Sequence, residues 1–193
     1  MARIVLFHHV LGLTDGVRAF ADSLRSAGHE VVTPDLFDGS TFTSLRDGMA
    51  YVEDLGDSAL MDRAAAGCEG LDPEGLVYAG FSLGVMPAQV MLQTRPGAAG
   101  AILVSAFCDP HQLPDDWPDR PIVHLYGKEH DPFLVEDGDL HAAEGVREHH
   151  GNLAITLYPG RGHLFAEPGH EDYDAATTER LVTDVLHQLA DLD

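Results

Sequence analysis

The sequence predicts an α/β fold, a doubly wound and mainly parallel six-stranded sheet with helices on both faces. Two observations carry this. Short continuous apolar runs recur along the chain with helical patterns between most of them, as expected of strands that are buried on both faces. Hydrophobic residues make up 45% of the 193 residues, enough for one sizeable core, and no repeat, low-complexity tract or linker divides the chain. One domain, residues 1–193, is expected. Right-handed crossovers then favour strand order 2-1-3-4-5-6, with any site at the carboxyl ends of the strands.

The elements follow in order. Ile4 to Phe7 reads as a buried strand. Val17, Phe20, Ala21 and Leu24 recur at i, i+3, i+4 and i+7, a helix capped by Thr14 or Asp15 and ended by Gly28. Glu30 to Thr33 is a second strand, stopped by Pro34. Ser44 to Gly67 reads as helix in two pieces broken near Gly56. Leu76 to Ala79 is the third strand, and residues 83–94 form the next helix. Ala101 to Ser105 and Ile122 to Tyr126 are two further strands, joined by the proline- and aspartate-rich loop CDPHQLPDDWPDRP. Residues 139–149 form a short helix and Ala154 to Tyr158 the sixth strand. Leu181, Val182, Val185, Leu186 and Leu189 mark a final amphipathic helix.

Charge excludes several function classes. The formal charge is -21, from 32 acidic against 11 basic residues, and Lys128 is the only lysine. Phosphate backbones are bound by clustered Lys and Arg, so nucleic acid is not an expected partner. An anionic membrane surface is excluded on the same ground. The acidic surface is read as a solubility device. Cys68 and Cys108 form no CxxC pair, and the opening MARIVLFHHV has too short an apolar run for a signal or a span. A cytoplasmic protein with free thiols, monomeric or homodimeric, is the expectation.

The chemistry centres on YAGFSLGVM, residues 78–86. A strand enters, Gly80 and Gly84 remove the Cβ atoms that would clash in a sharp reversal, and a helix leaves. Ser82 then stands at the tip of a strained turn, a nucleophile elbow, with the N–H of Leu83 and the helix dipole aimed at a developing oxyanion. A serine hydroxyl also needs a base, and the base a group that orients it. Asp131, in LYGKEHDPF, and His163, in LYPGRGHLF, each lie just past a later strand, in the chain order Ser, Asp, His. Glu129, Asp137 and Asp139 compete for the acid's role. The second oxyanion donor is expected after the first strand, in HHVLGLTDG, with the N–H of Val10 preferred and His9 facing substrate. A metal set of His8, His9, His163 and Asp131 is the sharper alternative, but no HxH or HExxH spacing supports it. Cys108 reads as a buried small residue.

Together FHHVLGL, TPDLFDG, YAGFSLGVM, YGKEHDPF and YPGRGHLFAEPGHEDYD resemble the dienelactone hydrolase family of the α/β-hydrolase superfamily, across nearly the whole chain. The resemblance implies a compact α/β-hydrolase fold with no cap domain. It makes Ser82 the nucleophile, Asp131 the acid and His163 the base, with Leu83 and Val10 in the oxyanion hole. Three departures matter. The enzymes that name the family use cysteine at the place of Ser82, and His9 takes the place of a glutamate that helps activate that cysteine. Their substrate-binding arginine, four residues past the histidine, is here Glu167. A negative charge there disfavours a carboxylate substrate.

The expectation is thus a cofactor-free serine hydrolase of a small carboxylic ester or lactone, with His9, Phe81 and Glu167 facing the substrate. Loops 34–44, 106–121 and 132–138 are expected to line the pocket. Two rivals stand beside it: a non-catalytic ligand-binding protein on the same scaffold, and an acyltransferase or thioesterase.

Overall fold

In the computed structural model, residues 1–192 are described; Asp193, the last residue of the expected domain, lies outside them. Six strands form one sheet: β1 (Arg3–Phe7), β2 (Glu30–Val32), β3 (Leu76–Phe81), β4 (Gly100–Val104), β5 (Ile122–Lys128) and β6 (Leu153–Tyr158). Their order is β2-β1-β3-β4-β5-β6, as the sequence predicts, and every adjacent pair is parallel. Among the described residues six α-helices connect and cover them: α1 (Asp15–Ser26), α2 (Leu45–Leu55), α3 (Asp57–Gly67), α4 (Val85–Thr94), α5 (Asp139–His150) and α6 (Ala175–Ala190). None of the helices among the described residues is long and apolar enough to cross a membrane.

Alternation along the strands builds two cores. Ile4 and Leu6 of β1, with Val77, Ala79 and Phe81 of β3, pack with Val17, Phe20 and Leu24 of α1 and Leu181, Val185 and Leu189 of α6. Val5, Phe7 and Tyr78 point the other way, onto Leu60 and Ala64 of α3, Val85 and Ala88 of α4, and Ala143 of α5. Successive strand residues face opposite sides, so a strand covered on both faces must be apolar throughout. β3 and β4 are buried at every position.

Local chemistry sets the helix ends. The Thr14 hydroxyl accepts the Val17 N–H at 3.3 Å, which decides between Thr14 and Asp15 as the cap of α1. Gly56, with φ 78°, ends α2 and begins α3. A Cβ there would touch nothing, so the left-handed backbone rather than space calls for glycine. The structure differs from expectation mainly at strand ends. β3 runs on to Phe81 and β5 to Lys128, because the ladder continues until the chain turns into the site. The helix expected from residue 83 begins instead with a tight turn, Ser82–Gly84, before α4.

Candidate active site

The turn from β3 into α4 presents Ser82 with φ 47°, a left-handed backbone that a residue with a Cβ rarely adopts. Close approach demands its flanking glycines. A Cβ on Gly80 would collide with the Gly84 carbonyl, and one on Gly84 with the carbonyl oxygen of Phe7 in β1. The serine is thereby lifted clear at the carboxyl edge of the sheet.

His163 and Asp131 reach the same point from other strands. Ser82 Oγ lies 2.6 Å from Nε2 of His163. Nδ1 of that ring donates to both oxygens of Asp131, at 3.0 and 2.9 Å. This bond places the proton on Nδ1 and leaves Nε2 with a lone pair toward the serine. Asp131 is fully buried and His163 is 7% exposed, so the pair works away from bulk water. The carboxylate is also fixed by its own turn, where Oδ1 accepts the N–H groups of Phe133 and Leu134 at 3.0 and 3.3 Å. Of the competing acids, Glu129 and Asp137 are exposed. Asp139 instead caps the Phe107 N–H at 2.9 Å, and burial raises its carboxyl above the ordinary range.

Val10 packs in a small apolar cluster with Leu11, Leu164 and Leu83. Among the described residues its N–H has no hydrogen-bond acceptor, whereas the next N–H, that of Leu11, donates to His9 Nδ1 at 3.3 Å. Helix α2 holds this loop in place: a Cβ on Gly48 would strike the Val10 carbonyl.

A small pocket opens beside the serine. Phe81, Val17, Val104, Leu164 and Phe165 form its apolar wall, and His9, Ser105 and Glu167 join Ser82 and His163 as its polar members. Phe81 meets Phe20 edge to face at 4.9 Å. His9 Nε2 donates to Glu167 Oε2 at 2.9 Å, and the Thr14 hydroxyl donates to the same oxygen at 2.8 Å. Glu167 thus rests over the start of α1, where a Cβ on Gly16 would collide with it and where the helix dipole favours a negative charge.

Several expectations are corrected. Loops 34–44, 106–121 and 132–138 do not line this pocket; the ends of β3 and β4, α1 and residues 163–167 do. Residues of 106–121 border a separate groove along α5, residues of 34–44 border a groove on the far side of Glu167, and Phe133 packs on the His163 ring at 4.5 Å. The metal alternative fares no better on donor geometry. His8 spends both ring nitrogens on the backbone, Nδ1 donating to His9 O at 2.7 Å and Nε2 accepting from Leu36 N at 3.0 Å. Cys108 is half-buried beside α5 rather than in the pocket, its thiol pushed up to about 12 by burial.

Sequence reasoning passed over three residues. Asp172 Oδ2 accepts the backbone N–H of His163 at 2.9 Å and of Leu164 at 3.2 Å. Lys128, 2% exposed, ties the end of β5 to Pro159 O, Asp174 and Thr177 at 3.1, 2.6 and 2.9 Å. The bond from Lys128, seconded by Thr177, holds the Asp174 carboxyl well below the usual range. Ser105, at the carboxyl end of β4, lines the pocket. A lone lysine in so acidic a chain was the available signal for Lys128, and the strand-end rule for Ser105; nothing local marks Asp172.

Comparison with known proteins agrees with this architecture. The Dienelactone hydrolase family matches residues 1–192. Among solved structures, a dienelactone hydrolase-like promiscuous phosphotriesterase, P91, from metagenomic libraries superposes with a TM-score of 0.76 at 20% identity. That match covers 100% of this chain and 87% of P91. Esterase 2 of the planctomycete Thermogutta terrifontis with propionate bound gives 0.66 at 15% identity, covering 99% and 83%. The same esterase phosphorylated by paraoxon gives 0.58 at 15% identity, covering 97% and 82%. No curated protein matches.

Proposed function

The chain belongs to the dienelactone hydrolase family and is a hydrolase acting on ester bonds; from that premise we propose a serine hydrolase that cleaves a small carboxylic ester or lactone through an acyl-enzyme on Ser82. The observation that carries the reading is the unbroken chain of contacts from Ser82 Oγ to His163 Nε2 at 2.6 Å and from His163 Nδ1 to Asp131 at 2.9 Å.

As Ser82 Oγ attacks the carbonyl carbon, His163 Nε2 takes its proton, and the buried Asp131 carboxylate stabilises the imidazolium. The carbonyl oxygen gains negative charge and is met by the N–H groups of Leu83 and Val10, the latter having no other acceptor to give up. The leaving alkoxide collects the proton from His163. Water, deprotonated by the same nitrogen, then attacks the acyl-enzyme and frees Ser82. The small pocket, with Phe81 and Val17 in its wall, suits a short acyl group, while Glu167, joined by His9, disfavours a carboxylate on it.

The test is labelling with a fluorophosphonate probe, read by intact mass, on the parent and Ser82→Ala. The probe suits a fold whose Thermogutta terrifontis relative has been captured phosphorylated by paraoxon. One adduct on the parent and none on the variant is expected. A folded parent that takes no adduct and turns over no ester overturns the proposal in favour of a binding protein, and products formed only with added alcohols favour acyl transfer.

A further inference from the structure

Ser82 and Ser105 occupy matching places on neighbouring strands. Phe81 of β3 and Val104 of β4 are register partners, and each serine is the next residue along. Both adopt a left-handed backbone, φ 47° at Ser82 and 63° at Ser105. The mechanism accounts for the first and makes no use of the second.

Ser105 carries two costs at once. Its backbone conformation is unfavourable for a residue with a Cβ, and its hydroxyl is buried with no hydrogen-bond partner among the described residues. The residue is 2% exposed and lines the pocket beside Ser82. Its N–H is tied to Tyr126 O of β5 at 2.8 Å, so the position is anchored across the sheet. An unpaired hydroxyl in a mostly apolar pocket gains nothing from the protein, which leaves it ready for a partner brought by a ligand.

We propose that Ser105 is a specificity-determining subsite that pairs with a hydroxyl or keto oxygen on the second or third carbon of a short acyl chain. Paired parallel strands stand about 5 Å apart, so a hydroxyl one strand over from the nucleophile falls within a few bonds of the acyl carbon. Val104 and Phe81 on either side offer no competing polar group. His9 and Glu167, the other polar members, already satisfy each other. The subsite rests on the hydrolytic reading, because it assigns the acyl chain of that reaction.

The experiment compares kcat/KM on 4-nitrophenyl butyrate with that on the 2-hydroxy- and 3-hydroxybutyrate esters, for the parent and Ser105→Ala, with Ser82→Ala as blank. The parent is expected to prefer one hydroxy ester by about tenfold, the worth of one hydrogen bond to a group otherwise left unpaired. Ser105→Ala should lose that preference, the ratio of kcat/KM on the hydroxy ester to that on butyrate falling to about one. Equal cleavage of all three esters by the parent, or an equal loss on all three in the variant, overturns the subsite and leaves the hydrolase standing. If the parent cleaves none of them above the blank, the hydrolytic reading and the subsite fall together. Should Ser105→Ala not fold, Ser105→Gly, which tolerates the left-handed backbone, answers the same question.

Discussion

One carboxylate oxygen of Asp172 accepts the backbone N–H of His163 at 2.9 Å and that of the following Leu164 at 3.2 Å. The loop carrying His163 is therefore held by its main chain from a side chain nine residues on. Gly162, with φ 113°, packs directly against Asp172. Asp172→Ala frees both N–H groups, and displacement of a base by about 1 Å costs roughly a hundredfold. We expect kcat to fall between about 10- and 100-fold with KM little changed. Asp172→Asn keeps an acceptor oxygen and should recover most of the loss; equal loss in both variants would mean the charge, not the anchor, matters.

Asp131 serves its own turn and the imidazole together. Asparagine can still accept the N–H groups of Phe133 and Leu134, but its amide offers a donor where His163 needs an acceptor. The ring then turns its lone pair to Nδ1 and loses it at Nε2. Asp131→Asn should keep its melting temperature within a few degrees while kcat falls by about 10⁴. Steady-state kinetics beside a thermal melt checks both halves.

Glu167 sets a carboxylate in the pocket wall, held by the His9 ring and the Thr14 hydroxyl. An anionic acyl group of matched size should be cleaved at least about tenfold more slowly than a neutral one. Mono-4-nitrophenyl succinate against 4-nitrophenyl pentanoate provides the pair. Glu167→Gln should narrow the gap several-fold, mainly through KM on the anionic ester.

His8 makes stability fall on the acid side. Burial is the largest cause of its shift, which takes the imidazole from 6.5 down to about 4; the adjacent His9 adds to the lowering, while the bond to His9 O and the charge of Asp35 oppose it. Because the folded value is depressed, the unfolded chain binds the proton first. The contribution is complete above pH 6.5 and is lost progressively as pH falls to about 4, for a total of up to about 3 kcal/mol. Urea denaturation of the parent and His8→Gln at several pH values should show a shallower slope in the variant across that window.

The sequence by itself determined the sheet, its strand order and the turn at Ser82, because each is written locally. Apolar runs such as Leu76 to Ala79 can only be buried strands, right-handed crossovers order them, and Gly80 and Gly84 are required within a few residues of the serine they flank. It also placed Asp131 and His163 past the correct strands. Tertiary structure alone decided which nearby acid meets the histidine: Asp131 turns inward with its loop, while Glu129 and Asp137 face water. It alone brought Asp172 under His163, set Glu167 against His9 and stood Ser105 beside Ser82. These relations join residues through strand register and loop tilt, and a linear pattern records which groups are available but not the through-space distances that make them partners.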